Sequence, residues 1–289
     1  MKYIVGLGEV LFDCLQTGET LGGAPANFAY HASQFGFPAA VISAVGSDKR
    51  GNSAVDQLSV KQMTLCIPKV EKPTGIAIAH VDEEGVPHWE IVENVAWDHI
   101  PFTYEMEELA ANTRAVCFGS LAQRSEVSRE TINRFLDAVP ADAMRIFDIN
   151  IRQHYYTREV IEQSLRKANV FKLNDDELLI LRPMLGTEDQ TDEQFCKMLL
   201  DKYHLDYVIL TCGTDGSYAF SATEQSFMPT PEVKVADTVG AGDSFTATFV
   251  AQILLGKSMR EAHEKAVTVS AFVCTQNGAM PVLPEELKK

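Results

Sequence analysis

The chain has 289 residues, 46% of them hydrophobic, so it can bury a large core as one α/β domain or two smaller ones. Its formal net charge is −15, from 40 acidic and 25 basic residues without a lysine or arginine run, which argues against nucleic acid and anionic membranes as partners. Six scattered cysteines without a C-x-x-C pair, no signal-peptide pattern and no apolar run of bilayer length together predict free thiols in a cytoplasmic protein.

The first elements in chain order alternate between strand and helix patterns. Residues 3–11 predict a buried strand that contains two glycines, and the glycine-rich turn at 20–25 leads into a helix over 26–35. A second buried strand is predicted at 41–46 and a helix at 52–62. This order is typical of an α/β protein.

Residues 74–95 have a different pattern. Two strand-like segments, 76–81 and 89–92, flank the polar segment Asp82-Glu83-Glu84-Gly85. The pattern predicts an antiparallel β-hairpin that projects as a flap and does not join a parallel sheet.

From residue 115 onward, strand and helix patterns alternate regularly. Strands are predicted at 115–119, 145–149, 170–173, 207–211, 217–220 and 233–235, and helices at 129–139, 157–168, 176–185, 192–203, 244–255 and 259–275. Such alternation predicts a mainly parallel sheet covered by helices on both faces. Because no repeat or linker interrupts the pattern, residues 1–289 are interpreted as a single domain with a small β flap.

Polar residues follow several of these strands. In open α/β sheets, ligands bind outside the carboxyl ends of the strands. The residues at such positions are Asp13, Asn150, Arg152, Asn174, Glu177 and the turn at 211–216. Each alone could be a turn or a helix cap, but their joint placement indicates a ligand site.

Residues 237–243 join a polar turn to an apolar helix. Gly240 and Gly242 carry no side chain to cover the backbone N–H groups at the start of that helix, which favours an anion such as phosphate. Asp243 would repel a resting phosphate, but it suits the removal of a proton from a hydroxyl that attacks a phosphoryl group. The alternative is that Asp243 is a first-turn acid of the helix and that the glycines are ordinary turn residues.

Two stretches together resemble the two signatures of the ribokinase-like, or PfkB-type, carbohydrate kinases. They are Gly22-Gly23-Ala24-Pro25-Ala26-Asn27 and Asp237-Thr238-Val239-Gly240-Ala241-Gly242-Asp243. Residues 174–177 resemble the N-x-x-E motif of that family, residues 148–152 the D-x-N-x-R segment of its fructokinase-like members, and residues 210–216 its nucleotide-binding turn. The resemblance extends from about residue 3 to 284. It implies a three-layer α/β/α core with a β-sheet lid, here formed mainly by about 12–20 and 74–97.

The resemblance also implies roles for the residues of the site. Asp243 would be the general base, and backbone N–H groups of Gly240, Ala241, Gly242 and Asp243 would form the anion hole. The sugar would be held by Asp13, Gly22, Gly23, Asn27, Asn150 and Arg152. ATP would contact Asn174, Thr211, Gly213 and Gly216, with adenine against Val267 and Ala271. Asn174 and Glu177 would organise Mg²⁺ through water, and Asp237 would contribute to a site for a monovalent cation such as K⁺.

The acceptor predicted from the resemblance is fructose, because residues 6–13 and 22–27 look most like bacterial fructokinases. Ribokinases usually have lysine where Ala24 stands, and residues 75–95 contain no lysine or arginine that would favour a phosphosugar. Trp97, which follows the flap, is a candidate for packing on the apolar face of the sugar.

Several alternatives stay open at this point. They are a kinase for 2-keto-3-deoxygluconate, with Arg124 or Arg152 on its carboxylate, a ribose or nucleoside kinase, and a catalytically silent sugar sensor. A dinucleotide-dependent oxidoreductase is set aside, because the first turn lacks the G-x-G-x-x-G pattern. An exposed flap would also allow a homodimer through the lid.

Overall fold

The structure is a computed structural model that describes residues 2–15, 18–81 and 87–289. Its strands are β1 Tyr3–Leu7, β2 Leu11–Leu15, β3 Gly18–Gly22, β4 Ala39–Ile42, β5 Val45–Gly46, β6 Thr64–Cys66, β7 Lys69–Val70, β8 Gly75–Val81, β9 Pro87–Ile91, β10 Thr113–Phe118, β11 Met144–Asp148, β12 Val170–Asn174, β13 Tyr207–Thr211, β14 Ser217–Phe220 and β15 Gln225–Met228. Its helices are α1 Ala24–Ser33, α2 Lys49–Ser59, α3 Tyr104–Ala111, α4 Glu126–Ala138, α5 Arg158–Lys167, α6 Asp175–Leu185, α7 Asp192–Tyr203, α8 Ala241–Leu254, α9 Met259–Cys274 and α10 Glu285–Lys288.

The main sheet has the strand order β15-β14-β13-β12-β11-β10-β1-β4-β6. Within this sheet, every pair of neighbouring strands from β13 across to β6 is parallel. At the other edge, β14 pairs antiparallel with both β13 and β15. The prediction of a mainly parallel α/β sheet is therefore confirmed. Strands at 207–211 and 217–220 and the helix at 192–203 have the predicted bounds.

Alternate residues of the central strands enter two different hydrophobic clusters, one on each face of the sheet. Val116 and Phe118 of β10 pack in a cluster with residues of α3 to α7. Ala115 and Cys117 of the same strand pack in a cluster with residues of α1, α8 and α9. This alternation follows from the two-residue period of a strand. It gives three layers, with helices on both faces of the sheet.

The predicted strand at 3–11 is wrong in its length. β1 ends at Leu7, and β2 begins at Leu11 in a different sheet. The break lies at Gly8, whose φ of 152° is a conformation that residues with a side chain rarely adopt. The predicted strand at 41–46 is likewise divided into β4 and β5.

A second, four-stranded sheet has the order β3-β2-β8-β9. The antiparallel pairing of β8 with β9, in which Ala77 lies opposite Ile91, confirms the predicted hairpin. Its polar segment at 82–85 lies outside the described residues, as do residues 16 and 17 of the predicted lid. β2 joins the hairpin by pairing parallel with β8 and antiparallel with β3. We refer to this sheet as the lid sheet.

Further elements differ from the prediction, among them β6, β7 and α10, which were not predicted. Residues 233–235 are not a strand but an exposed loop, because Gln225–Met228 supplies the edge strand that pairs with β14. Helix α3 was not predicted from the sequence. Its signal is Thr103, whose side chain accepts a hydrogen bond from the N–H of Met106 and caps the helix.

The expectations about cysteines and membranes can be compared with the described residues. All six cysteines are free, and each is buried or half-buried. Among the described residues, no helix combines the length and the apolar composition needed to cross a bilayer.

Candidate active site

A cleft of about 1400 Å³ opens at the carboxyl ends of β1, β11, β12 and β13 and is bordered by the lid sheet. The predicted site residues that line it are Asp13, Gly22, Gly23, Asn27, Asn150, Arg152, Asn174, Glu177, Thr211, Gly213, Gly216, Gly240, Ala241, Gly242, Asp243, Val267 and Ala271. Of the described residues predicted for the site, Trp97 and Asp237 are not part of this lining. Residues far apart in the sequence thus meet in one cleft.

The N-terminus of α8 faces this cleft. Gly240 is the N-cap and has a φ of 78°, and a Cβ atom there would lie 2.7 Å from the carbonyl oxygen of Ala279. The N–H of Ala241 is already bonded to the carbonyl of Thr238, at 3.2 Å. Within the described residues, the N–H groups of Gly242 and Asp243 have no acceptor, as expected for the first turn of a helix. They are donors that can bind an anion.

Asp243 is held by a side chain from the other end of the chain. Nδ2 of Asn27, in α1, donates a hydrogen bond of 2.8 Å to Oδ2 of Asp243. Burial raises the pKa of Asp243 to about 6, although the bond from Asn27 lowers it. A carboxylate with such a pKa is ionised at neutral pH yet basic enough to accept a proton from a hydroxyl.

A buried ion pair lies behind the start of α8. Nζ of Lys172, in β12, is 3.2 Å from Oδ1 of Asp148, in β11. Oδ2 of Asp148 accepts a hydrogen bond of 2.9 Å from the hydroxyl of Thr246. Burial lowers the pKa of Lys172, but the negative charges of Asp148, Glu177 and Asp243 outweigh burial and raise it above its ordinary value. Lys172 lines the cleft and is therefore a fixed positive charge beside Asp243.

Sequence reasoning assigned no role to Lys172 or to Asp148 itself. Both lie within predicted strands and are almost fully buried. The available signal was the presence of charged residues in otherwise apolar strands, because such charges are rarely buried unless they are paired.

Two carboxyl groups line the other end of the cleft, next to the lid sheet. Burial raises the pKa of Glu9 to about 7 and raises the pKa of Asp13 above its ordinary value, although Arg152 lowers both. Arg152 is exposed and donates a hydrogen bond of 3.0 Å to the carbonyl of Ile151. Glu9 was not among the predicted site residues. Its signal was a carboxylate inside the otherwise apolar strand predicted at 3–11, since a buried charge needs a partner.

Asn174 and Glu177 form a capping box at the start of α6. The side-chain oxygen of Asn174 accepts the N–H of Glu177 at 2.8 Å, and Oε2 of Glu177 accepts the N–H of Asn174 at 2.8 Å. Oε1 of Glu177 accepts the N–H of Ile151 at 2.8 Å. Each carboxylate oxygen keeps a further lone pair. Because these oxygens are already occupied by backbone N–H groups, they fit contact with Mg²⁺ through its bound waters better than direct ligation.

The far end of the cleft lies between the end of β13 and helix α9. Thr211 ends β13, and Gly213 and Gly216 lie in the turn that follows it. Val267 and Ala271 of α9 provide an apolar wall on one side. The loop at residues 231–235, which includes the segment 233–235 that was predicted as a strand, lines the same region.

Asp237 connects two loops beside the anion site. Its Oδ1 accepts the N–H of Val239 at 3.0 Å, and its Oδ2 accepts the N–H of Gly278 at 3.1 Å. This arrangement fixes the loop that precedes α8 against the segment that follows α9.

The prediction that Trp97 contacts the sugar is wrong. The Trp97 side chain is fully buried and belongs to the core cluster under the lid sheet. The guanidinium of Arg124 lies over its ring, at 4.0 Å from the ring centroid. Arg124 is itself paired with both carboxylate oxygens of Asp98 at 2.8 Å, so it is not available for a substrate carboxylate.

Comparison with known proteins gives a consistent assignment. The family described as pfkB family carbohydrate kinase matches residues 3–286. The chain is 27% identical to the ATP-dependent 6-phosphofructokinase of Thermoanaerobacterium thermosaccharolyticum, over 98% of this chain and 92% of that protein. It is also 27% identical to probable fructokinase-2 of Arabidopsis thaliana, over 98% and 93% of the two chains. Its fold is shared with the fructokinase of Xylella fastidiosa crystallised with bound ATP, with a TM-score of 0.85, 20% identity, and 98% and 95% of the two chains covered.

Proposed function

Since the chain belongs to the pfkB family of carbohydrate kinases, we propose that it transfers the γ-phosphoryl group of ATP to a hydroxyl of free fructose. The observation that carries this proposal is the position of Asp243. A buried carboxylate with a pKa of about 6 lies in the first turn of α8, beside free backbone donors, and lines the same cleft as Asp13 and Asn27, whose side chains can bond to hydroxyls. The family assignment makes the chain a kinase, and the choice of acceptor is the proposed part.

In the proposed mechanism, Asp243 accepts the proton of the attacking hydroxyl while Asn27 holds its other oxygen. The N–H groups of Gly242 and Asp243 stabilise the negative charge that develops on the transferred phosphoryl group. Lys172 adds a positive charge behind them. Phosphoryl transfer depends mainly on positioning and on charge stabilisation, which these residues supply.

Mg²⁺ bound to the nucleotide would neutralise part of the phosphate charge. Asn174 and Glu177 would hold it through its waters, because their oxygens keep free lone pairs while they cap α6. The adenine would lie on Val267 and Ala271, and the phosphates would run past Thr211, Gly213 and Gly216 toward α8.

The charges at the sugar end support an uncharged acceptor. Glu9 and Asp13 line this end, and a phosphosugar would bring negative charge next to them. Among the described residues that line the cleft, the lysine and arginine side chains are Lys172 and Arg152, and Lys172 is already paired with Asp148. A relative named 6-phosphofructokinase nevertheless makes fructose 6-phosphate a necessary competitor in any test.

The experiment that tests the proposal is ADP release with Mg-ATP across a panel of acceptors. The panel contains fructose, fructose 6-phosphate, 2-keto-3-deoxygluconate, ribose, glucose and adenosine. Highest kcat/KM with fructose supports the proposal. If another member of the panel gives the highest kcat/KM, that compound replaces fructose as the proposed acceptor. If a sugar binds but no member of the panel causes ADP release, the result supports the sensor alternative.

Replacing Asn27 with alanine should affect the sugar far more than the nucleotide. Asn27 lines the sugar end and bonds to Asp243, so Asn27→Ala should raise the sugar KM much more than the ATP KM. Loss of this donor should also raise the pKa of Asp243, which moves the acidic limb of the pH–rate profile to higher pH. Steady-state kinetics over a pH series measures both effects. Equal changes in the two KM values would contradict the placement of Asn27.

A monovalent cation beside Asp237 should raise the rate. Asp237 joins the loop that precedes α8 to the segment at Gly278, and a cation there would order the donors of the anion hole. We expect kcat to be severalfold higher in potassium chloride than in a bulky organic-cation chloride of the same ionic strength. The same comparison with Asp237→Ala is the control, because this variant should lose the difference. Equal rates of the unaltered protein in the two salts would exclude the cation.

A further inference from the structure

A small cavity of about 10 Å³ lies behind the catalytic groups. Its lining contains the polar side chains of Glu9, Asp148, Asn150 and Asp243, the thiol of Cys117, and the rings of Phe28 and Phe118. A volume of this size is close to the space that one water molecule occupies. The cavity therefore combines room for one small molecule with acidic walls.

Two oxygen atoms of the residues that line this cavity lack a hydrogen-bond donor in the described part of the chain. They are Oε2 of Glu9 and Oδ1 of Asp148, in side chains of residues that are 4% and 8% exposed. Lys172 lies 3.2 Å from Oδ1 of Asp148 as an ion pair, without hydrogen-bond alignment. A buried acceptor without a donor costs free energy, so such atoms in native proteins usually bind a water molecule.

We propose that this cavity is a site for one water molecule that donates hydrogen bonds to Glu9 and to Asp148, and that Glu9 thereby acts as a positioning residue for Asp243. A water molecule has two O–H donors, which matches the two carboxylate oxygens that lack an aligned hydrogen-bond donor. The effect of Glu9 on catalysis rests on the proposed function, but the water site itself does not.

The water would connect the two segments that hold the catalytic base. Glu9 and Ala24 line the same cavity, and the backbone of Ala24 lowers the pKa of Glu9; Ala24 begins α1, the helix that carries Asn27. The hydroxyl of Thr246, in α8, shares its one hydrogen between Oδ2 of Asp148, at 2.9 Å, and the carbonyl of Gly242 in the first turn of α8, at 3.0 Å. A bridge from Glu9 to Asp148 therefore fixes α1 relative to α8, and with them the pair of Asn27 and Asp243.

A crystal structure of the protein without substrates tests the site directly. We expect density for one water molecule within hydrogen-bond distance of both Glu9 and Asp148. An empty cavity would overturn the proposal. So would a peak with several oxygen contacts near about 2.4 Å, because such distances identify a metal cation. This result does not depend on which acceptor the enzyme uses, so it separates failure of the water site from failure of the proposed function.

Two substitutions of Glu9 test its role as a positioning residue. Glu9→Leu removes the acceptor, and we expect kcat to fall roughly 10- to 100-fold with the KM for Mg-ATP almost unchanged, since a small displacement of the base costs about this much. Glu9→Gln keeps a side-chain oxygen that accepts from the water, so it should retain most of the activity. The matched control is Thr248→Val. In the described part of the chain, the Thr248 hydroxyl is buried and has no hydrogen-bond partner, and Thr248 does not line the cavity.

The outcomes of this comparison are distinct. An unchanged kcat in Glu9→Leu would overturn the positioning role, as would a glutamine variant that is as impaired as the leucine variant. If Glu9→Leu does not fold, Glu9→Gln and the crystal structure still test the proposal. A glutamine variant with a low kcat and a normal melting temperature would contradict it, because the conservative change should keep the activity.

Discussion

Replacing Asp243 with asparagine is expected to lower kcat by about 10²- to 10⁴-fold, which is the usual contribution of a general base. Asparagine keeps the shape of the side chain, but it cannot accept the proton of the attacking hydroxyl. Binding of the sugar and of ATP should be nearly unchanged, because the backbone donors of α8 stay in place. Calorimetric titration and steady-state kinetics on the same preparation measure the two effects separately.

The pH–rate profile gives an independent check on this assignment. Burial raises the pKa of Asp243 to about 6, and the ionised form is the one that acts as a base. For the unaltered protein, kcat/KM should therefore fall as the pH decreases below about 6, approaching tenfold per pH unit. This limb should be absent from the residual activity of Asp243→Asn. The control is Asp201→Asn, an exposed position in α7, and near-normal turnover of Asp243→Asn would refute the assignment of the base.

Replacing Lys172 with methionine is expected to reduce both stability and activity. The substitution leaves Asp148 buried without its counter-ion, and breaking a buried ion pair in this way typically costs about 3–5 kcal/mol of unfolding free energy. Lys172 also lowers the pKa of Asp243, so its loss should move the acidic limb of the rate profile to higher pH. We expect kcat to fall roughly 100-fold, as for the loss of one group that stabilises the transition-state charge.

The double variant Lys172→Met with Asp148→Asn separates the two effects of Lys172. Removing both charges should restore much of the lost unfolding free energy, because Asp148 then no longer holds a buried charge without its counter-ion. It should not restore kcat, since the positive charge beside Asp243 is still missing. Recovery of full activity in the double variant would show that Lys172 only balances Asp148.

The sequence was sufficient for the parts of the site that short motifs and strand ends define. The donors at the start of α8, the carboxylate of Asp243 and the polar residues after β11, β12 and β13 all line the cleft. Each depends on a local rule, either the free N–H groups of a helix N-terminus or the common edge of parallel strands. Such rules need no knowledge of how distant segments pack.

The parts that were missed depend on contacts between distant segments. Lys172 is a site residue only because β11 places Asp148 beside β12, and Glu9 only because β1 ends next to α1 and α8. Trp97 was misassigned for the same reason. Its position after the hairpin suggested exposure to the sugar, but Arg124 and the core beneath the lid sheet enclose its ring.

The pairing of Asn27 with Asp243 also sets when the active site can exist, because the two residues are 216 positions apart. At about 5–20 residues per second, α1 leaves the ribosome roughly 10 to 40 seconds before the residue that it must hold. Until then, the nascent chain contains β2 and α1 but not Asp243, the proposed catalytic base. A chain truncated before α8 should therefore have no phosphoryl transfer activity, even if its earlier segments fold.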